Sequence, residues 1–110
     1  MIDGDELVKR LENMSPAIVS HAKAKSERIY LEQYRKSLKA LLMGEAAHLK
    51  TIGEREQYAY GHIKYIEHLN ALKEAVNVEE KCKWTLEHLK IQFEMWRTLQ
   101  ANERYQQDRV

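Results

Sequence analysis

Turn-forming residues are almost absent from this chain of 110 residues, which contains one proline and four glycines. Antiparallel strands need frequent turns, so a sequence this poor in Gly and Pro excludes most all-β folds. The length allows one small domain rather than two independent cores. We therefore predict an all-α fold in a single helical domain, residues 1–110.

Capping residues and apolar spacing predict four helices, the first of them short and capped by an aspartate. Ser15 and Pro16 are typical of a second start, because serine accepts hydrogen bonds from free amides and proline at the first helical position loses no needed donor. We expect Gly44 to bend this second helix rather than end it. Thr51 and Glu54 form a capping box that begins a third helix. The predicted helices span residues 5–14, 16–50, 52–60 and 62–104.

The fourth helix is long for a chain of this size, about 65 Å at 1.5 Å per residue. Either the polar stretch 77–83 breaks this helix, or part of it projects and finds a partner. A second apolar face supports the partner, because a monomeric hairpin needs only one apolar stripe. We therefore predict an antiparallel hairpin of two long helices with short flanking helices, assembled as a homodimeric bundle or coiled coil. The predicted dimer interface contains Trp84, Ile91 and Met95.

No pattern in the sequence is typical of an active site. Glu45 and His48 form the only Glu-x-x-His spacing, whereas helical di-iron sites need two copies and further carboxylates. None of the five histidines has another at the chelating i+3 or i+4 spacing. The single cysteine, Cys82, excludes an internal disulfide and is expected to pack as a small apolar residue. We expect no catalytic residue, metal or cofactor, and an enzyme acting through Glu45 and His48 is the last alternative.

Charge is unevenly placed although the whole chain carries only +1. Between residues 21 and 39, six basic residues stand against two glutamates. A basic stripe of this kind is typical of phosphate-binding surfaces, and the solvated face of an amphipathic helix is the commoner alternative. Tyr30 and Tyr34 lie on the apolar side and are expected in the core, which leaves no aromatic stacking platform. The predicted nucleic-acid-binding residues are Lys25, Arg28, Arg35, Lys36 and Lys39.

The C-terminal segment is rich in Trp, Tyr and Arg, the residues that dominate protein-interface hot spots. The alternative is that Trp96 anchors the hairpin core and the residues after it fray. The predicted protein-partner residues are Trp96, Arg97, Asn102 and Arg104.

Membrane and secretory classes are not expected. The longest uncharged stretch is far below the roughly 18 residues of a transmembrane helix. The first ten residues begin with acidic side chains and contain no apolar signal region. These features predict a cytoplasmic protein.

Several short motifs follow one another between residues 36 and 104. They are KSLKALLM at 36–43, GERE at 53–56 with Ala-Tyr at 59–60, Tyr, His-Leu and Ala within 65–75, and EMWR at 94–97 with ANER at 101–104. In this order they resemble a family of small helical phage and prophage proteins encoded near replication and recombination genes. The chain departs from that pattern after Gly61, where relatives carry a Ser/Asp-type break, and at Glu103, where the family has Asn-Arg-Arg.

The resemblance implies a helical protein made in the cytoplasm of an infected bacterial cell. Together with the residue patterns, it predicts a non-catalytic phage accessory protein that acts by binding in phage DNA recombination or replication. The expected partner is DNA or a phage or host DNA-processing protein. One alternative is an inhibitor that occupies the surface of a host defence nuclease complex, and another is a structural virion component.

Overall fold

The structure, a computed structural model, describes residues 3–108. Within this range the chain is all-helical and contains no strand, which confirms the predicted fold class. The helices are α1 (Gly4–Glu45), α2 (Ile52–Gly61) and α3 (Ile63–Asp108). Among the same residues, no helix combines the length and the apolar character needed to cross a membrane.

Helix α1 is continuous where the sequence predicts two helices, 5–14 and 16–50, so the predicted break at Ser15 is wrong. Asp3 caps its N-terminus, since its Oδ1 accepts a hydrogen bond of 2.8 Å from the Glu6 amide. Pro16 lies inside the helix, where proline removes one backbone donor and costs about 3 kcal/mol. Met14 and Ala17, on the two sides of this proline, are both partly buried.

Helix α1 ends at Glu45, five residues earlier than the predicted end at residue 50. The carbonyl groups beyond this end are bound by the Arg55 side chain, which donates to Leu49 at 3.0 Å and to Ala47 at 3.3 Å. Helix α2 then begins after Thr51, whose Oγ1 accepts from the Glu54 amide at 3.1 Å, as its capping box predicts.

Contacts between residues group the chain into two compact units. The central unit contains Lys23–Glu79, and the terminal unit contains the residues up to Ala22 together with those from Glu80 onward. Each unit therefore takes a part of α1 and a part of α3.

The core of the central unit forms where α1, α2 and the start of α3 meet. Leu42 is only 1% exposed and packs with Leu38, Ala59 and Tyr65. Burial of Ala59 holds α2 against α1, and this fixes the position of the next residue, Tyr60.

The polar stretch 77–83 does not break α3. In the central unit the covered positions of α3 are Tyr65, His68, Leu72, Ala75 and Glu79. In the terminal unit the covered positions include Cys82, Leu86, Leu89, Phe93, Trp96, Gln100 and Glu103, and Glu87 and Gln92 beside them are also partly covered. Both sets alternate spacings of three and four residues, the seven-residue repeat of left-handed coiled coils. The polar stretch contributes Glu79 and Cys82 to this covered face, so the helix continues through it.

Candidate nucleic-acid interface

Three of the predicted nucleic-acid-binding residues converge on one cleft in the central unit. Arg35, Lys36 and Lys39 line this cleft together with Tyr60 and Tyr65. Its volume is about 360 Å³. We call it the basic cleft.

Each element supplies a different part of the basic cleft. Little more than one turn of α1 carries Arg35, Lys36 and Lys39, which are close enough in sequence to reach the same side. Tyr60 comes from the end of α2, and Tyr65 lies in the first turn of α3. The two tyrosine rings meet nearly at right angles, with their centroids 5.3 Å apart. The cleft therefore depends on the α1–α2–α3 packing and not on α1 alone.

Lys39 is held in place by two neighbours. Its Nζ lies 4.8 Å from the centroid of the Tyr60 ring and 3.6 Å from a carboxylate oxygen of Glu56. A hydrogen bond with the Tyr60 side chain is the largest cause that raises the pKa of the Lys39 ammonium above its ordinary value. The negative charge of Glu56 raises this pKa further. These two contacts hold the positively charged Lys39 ammonium at one place in the basic cleft.

Arg35 and Lys36 are the available cations of the basic cleft. Both side chains are exposed, and no carboxylate within residues 3–108 lies at ion-pair distance from either of them. An exposed guanidinium next to an exposed ammonium suits a phosphate, because arginine can donate two parallel hydrogen bonds while lysine adds a point charge.

Arg28, which is also predicted to bind nucleic acid, is paired with two carboxylates. Its Nη2 donates to Glu79 Oε1 at 3.0 Å, and its Nη1 donates to Glu32 Oε2 at 3.0 Å. Hydrogen bonding to Glu79, and then to Glu32, raises the pKa of the Arg28 guanidinium above its ordinary value. Lys25 is exposed on α1 but does not line the basic cleft.

Tyr30 and Tyr34 are not core residues, so their predicted burial is wrong. Their side chains are 60% and 38% exposed, and their rings stack with centroids 6.0 Å apart. The apolar side of α1 is broad, but α3 covers only a narrow seam of it that includes Leu31 and Leu38. The two tyrosines lie beside that seam.

His68 is a buried polar residue that the sequence patterns do not single out. Its Nε2 lies 2.7 Å from the carbonyl oxygen of Leu31 and therefore donates, because a carbonyl can only accept. Its ring also lies 5.5 Å from that of Tyr34. His68 thus joins α3 to α1 within the central unit.

The terminal unit contains a second cleft, of about 750 Å³. Trp96, Arg97 and Arg104 line it, whereas the fourth predicted partner residue, Asn102, is exposed elsewhere on α3. The Trp96 Nε1 is buried and has no hydrogen-bond acceptor among the described residues. Arg97 is paired loosely, at 3.5 Å, with Glu94 on the same helix. We call this the tryptophan cleft.

The predicted dimer residues are exposed on α3 in the terminal unit. The exposed fractions of Trp84, Ile91 and Met95 are 63%, 56% and 59%. Ile91 and Met95 line one shallow groove with Leu99. Lys83 covers part of Trp84, with its Nζ 5.7 Å from the ring centroid.

Glu45 and His48 do not share a helical face, because α1 ends at Glu45 and His48 lies in the turn that follows. The Glu45 carboxylate instead accepts a long hydrogen bond of 3.4 Å from the Tyr58 hydroxyl. Within the described part of the chain, no three His, Cys, Asp or Glu side chains form a group that could hold a metal ion.

No family model matches this chain, and no curated protein or solved structure shows significant similarity to it.

Proposed function

We propose that this protein acts by binding and that its basic cleft holds the phosphate backbone of a nucleic acid. The observation that carries this proposal is the convergence of Arg35 and Lys36, both without a carboxylate partner in residues 3–108, beside the fixed charge of Lys39. The net charge of the chain is only +1, so the attraction comes from this local cluster and not from the whole molecule.

Binding through so few cations is weak and sensitive to salt. Each phosphate that a basic side chain neutralises releases condensed counterions, which gives a slope of log K against log salt of about −0.9 on duplex DNA and −0.7 on single strands. A homodimer doubles the number of clefts and can raise the affinity through bivalency. We therefore expect useful affinity at low salt and a steep loss at higher salt.

A charge-reversal experiment tests this role. The variant carrying Arg35→Glu and Lys36→Glu should bind a labelled 20-nucleotide DNA roughly tenfold more weakly or worse, because two charge-assisted contacts are lost. Lys73→Glu is the control for a single charge reversal elsewhere, since Lys73 is an exposed lysine of the central unit outside the basic cleft. Equal affinity of the double variant and the control would overturn the proposed function.

The resemblance to small phage proteins gives this binding activity a biological setting. In that setting the protein is a phage accessory factor in the cytoplasm of an infected bacterium, and its ligand is DNA undergoing recombination or replication.

The tryptophan cleft supports a second candidate function, the binding of a DNA-processing protein or of a host defence nuclease complex. A buried indole donor without an acceptor is costly, and a partner that supplies an oxygen atom would relieve that cost after a small shift of the ring. Arg97 and Arg104 would face acidic side chains of such a partner. Purification from infected cells with and without nuclease treatment separates the two functions, because a protein partner survives the treatment and a DNA-bridged one does not.

The proposed assembly is a homodimer of antiparallel α1–α3 hairpins. Within the central unit, Arg28 contacts Glu79, and Leu31 contacts His68. The later residue of α1 thus contacts the earlier residue of α3, which is the order expected of antiparallel helices and supports the hairpin. The exposed apolar side chains Trp84, Ile91 and Met95 support the dimer, because water-exposed apolar groups at helical spacing favour a second helix.

A further inference from the structure

The basic cleft contains an exposed aromatic ring, which phosphate binding alone does not require. Tyr60 is 47% exposed although it lines the cleft between Lys39 and Tyr65. Contacts with those two side chains hold its ring, at 4.8 Å from the Lys39 Nζ and 5.3 Å from the Tyr65 centroid. The ring is thus positioned before any ligand binds, which lowers the entropic cost of using it.

We propose that the basic cleft selects single-stranded nucleic acid, with one base stacked on Tyr60 and the adjacent phosphate bound by Arg35 and Lys36. This inference rests on the proposed function and specifies its ligand. A positively charged groove that contains an aromatic side chain is the combination that single-strand-binding proteins use. The cleft volume of about 360 Å³ lies near the lower end of small-ligand sites, roughly 300–1,000 Å³, and suits one nucleotide at a time.

A duplex cannot use Tyr60 in this way. Its bases are stacked on one another, so a protein reaches only their edges in the grooves and the phosphates outside. Arg35 and Lys36 could still contact duplex phosphates, but the tyrosine ring would contribute little. Stacking on an aromatic ring contributes roughly 5- to 150-fold in affinity per base, and this factor sets the expected preference for single strands.

The test compares three probes with equal numbers of phosphates: a single-stranded oligothymidylate, a duplex, and an abasic strand that keeps the sugar–phosphate chain. The wild-type protein should bind the oligothymidylate most tightly. Tyr60→Leu should weaken that complex by roughly 5- to 150-fold. It should weaken the duplex and abasic complexes much less, because these lose only the contact that holds Lys39. Tyr60→Phe, which keeps the ring, should bind as the wild type does.

Tyr30→Leu is the matched control, because Tyr30 is an exposed, ring-stacked tyrosine of the same unit that does not line the basic cleft. Circular dichroism and thermal melting of each variant check that it is folded. An unchanged oligothymidylate affinity in folded Tyr60→Leu, or an equal loss on all three probes, would overturn the single-strand inference. If the double variant Arg35→Glu and Lys36→Glu still weakens all three complexes in that case, the proposed phosphate binding stands and only the single-strand inference fails. If the wild-type protein binds none of the probes at low salt, both proposals fail.

Discussion

Arg28 and Glu79 join α1 to α3 through two parallel hydrogen bonds, Nε to Oε2 at 2.5 Å and Nη2 to Oε1 at 3.0 Å. Both side chains are largely covered, with 24% and 15% of their surfaces exposed. The pair occupies the covered face of both helices at a place where most coiled coils have apolar residues. A polar pair in such a seam favours this register of the two helices, because another register separates Glu79 from Arg28.

Removal of either partner should therefore destabilise the protein more than removal of both. Arg28→Leu removes the guanidinium from the largely covered Glu79 carboxylate, and Glu79→Leu leaves Arg28 paired with the more exposed Glu32. The double variant leaves neither charge and should melt at a higher temperature than either single variant. Thermal melts of the four proteins test this order, and additive losses in the double variant would show that the two residues are not coupled. Glu32→Gln, at the exposed third member of this network, is the control with the smallest expected effect.

The core of the central unit offers a matched pair of adjacent leucines. Leu42 is 1% exposed, whereas Leu41 is 61% exposed. Leu42→Ala should lower the free energy of unfolding by about 2–5 kcal/mol through lost burial and a new cavity. Leu41→Ala should change it by no more than about 0.5 kcal/mol, as is usual at surface positions. Urea denaturation of both variants measures the difference, and similar losses would contradict the assigned core.

Local signals in the sequence predict an aspartate cap at Asp3 or Asp5 and a helix start at Thr51, because a cap acts on amides only three residues away. The structure places the first cap at Asp3. The local signals do not predict the continuity of α1 through Pro16. They also miss Arg55, which binds carbonyls six and eight residues earlier in the chain, in the turn that follows α1.

The candidate site is also predictable only in part, because the sequence shows local charge but not contacts between distant residues. The basic stripe identifies Arg35, Lys36 and Lys39, whose charges are visible in the sequence, but it cannot show that Arg28 is bound by a carboxylate 51 residues away. It also cannot show that Tyr60, from another helix, lies beside Lys39. Contacts between distant residues decide which cations remain available.

The continuity of α1 leads to a prediction at Pro16. Since this proline lies in a helix interior and lacks a donor, Pro16→Ala should stabilise the protein by up to about 3 kcal/mol. Ser15→Ala is the control, because serine at an interior position provides no cap. Unchanged or lower stability of Pro16→Ala in urea denaturation would place this residue at a helix start and contradict a continuous α1.

The exposed stripe on α3 leads to a prediction about assembly. Replacing Ile91 and Met95 by glutamate should convert a dimer to a 13 kDa monomer, because a charge in an apolar helix–helix seam is unfavourable. Analytical ultracentrifugation at micromolar concentration measures this change. A wild-type protein that sediments as a 13 kDa species would contradict the proposed dimer. Val8→Glu, at another half-exposed apolar residue, tests whether the effect is specific to this stripe.

The most direct test of the central claim is the salt dependence of DNA binding, measured by fluorescence anisotropy on a 20-nucleotide single strand. If Arg35 and Lys36 each neutralise one phosphate, their double charge reversal should flatten the slope of log K against log salt by about 1.4, or 0.7 for each contact. The Lys73→Glu control should keep the wild-type slope. A double variant with the slope and affinity of the wild type would contradict nucleic-acid binding by the basic cleft.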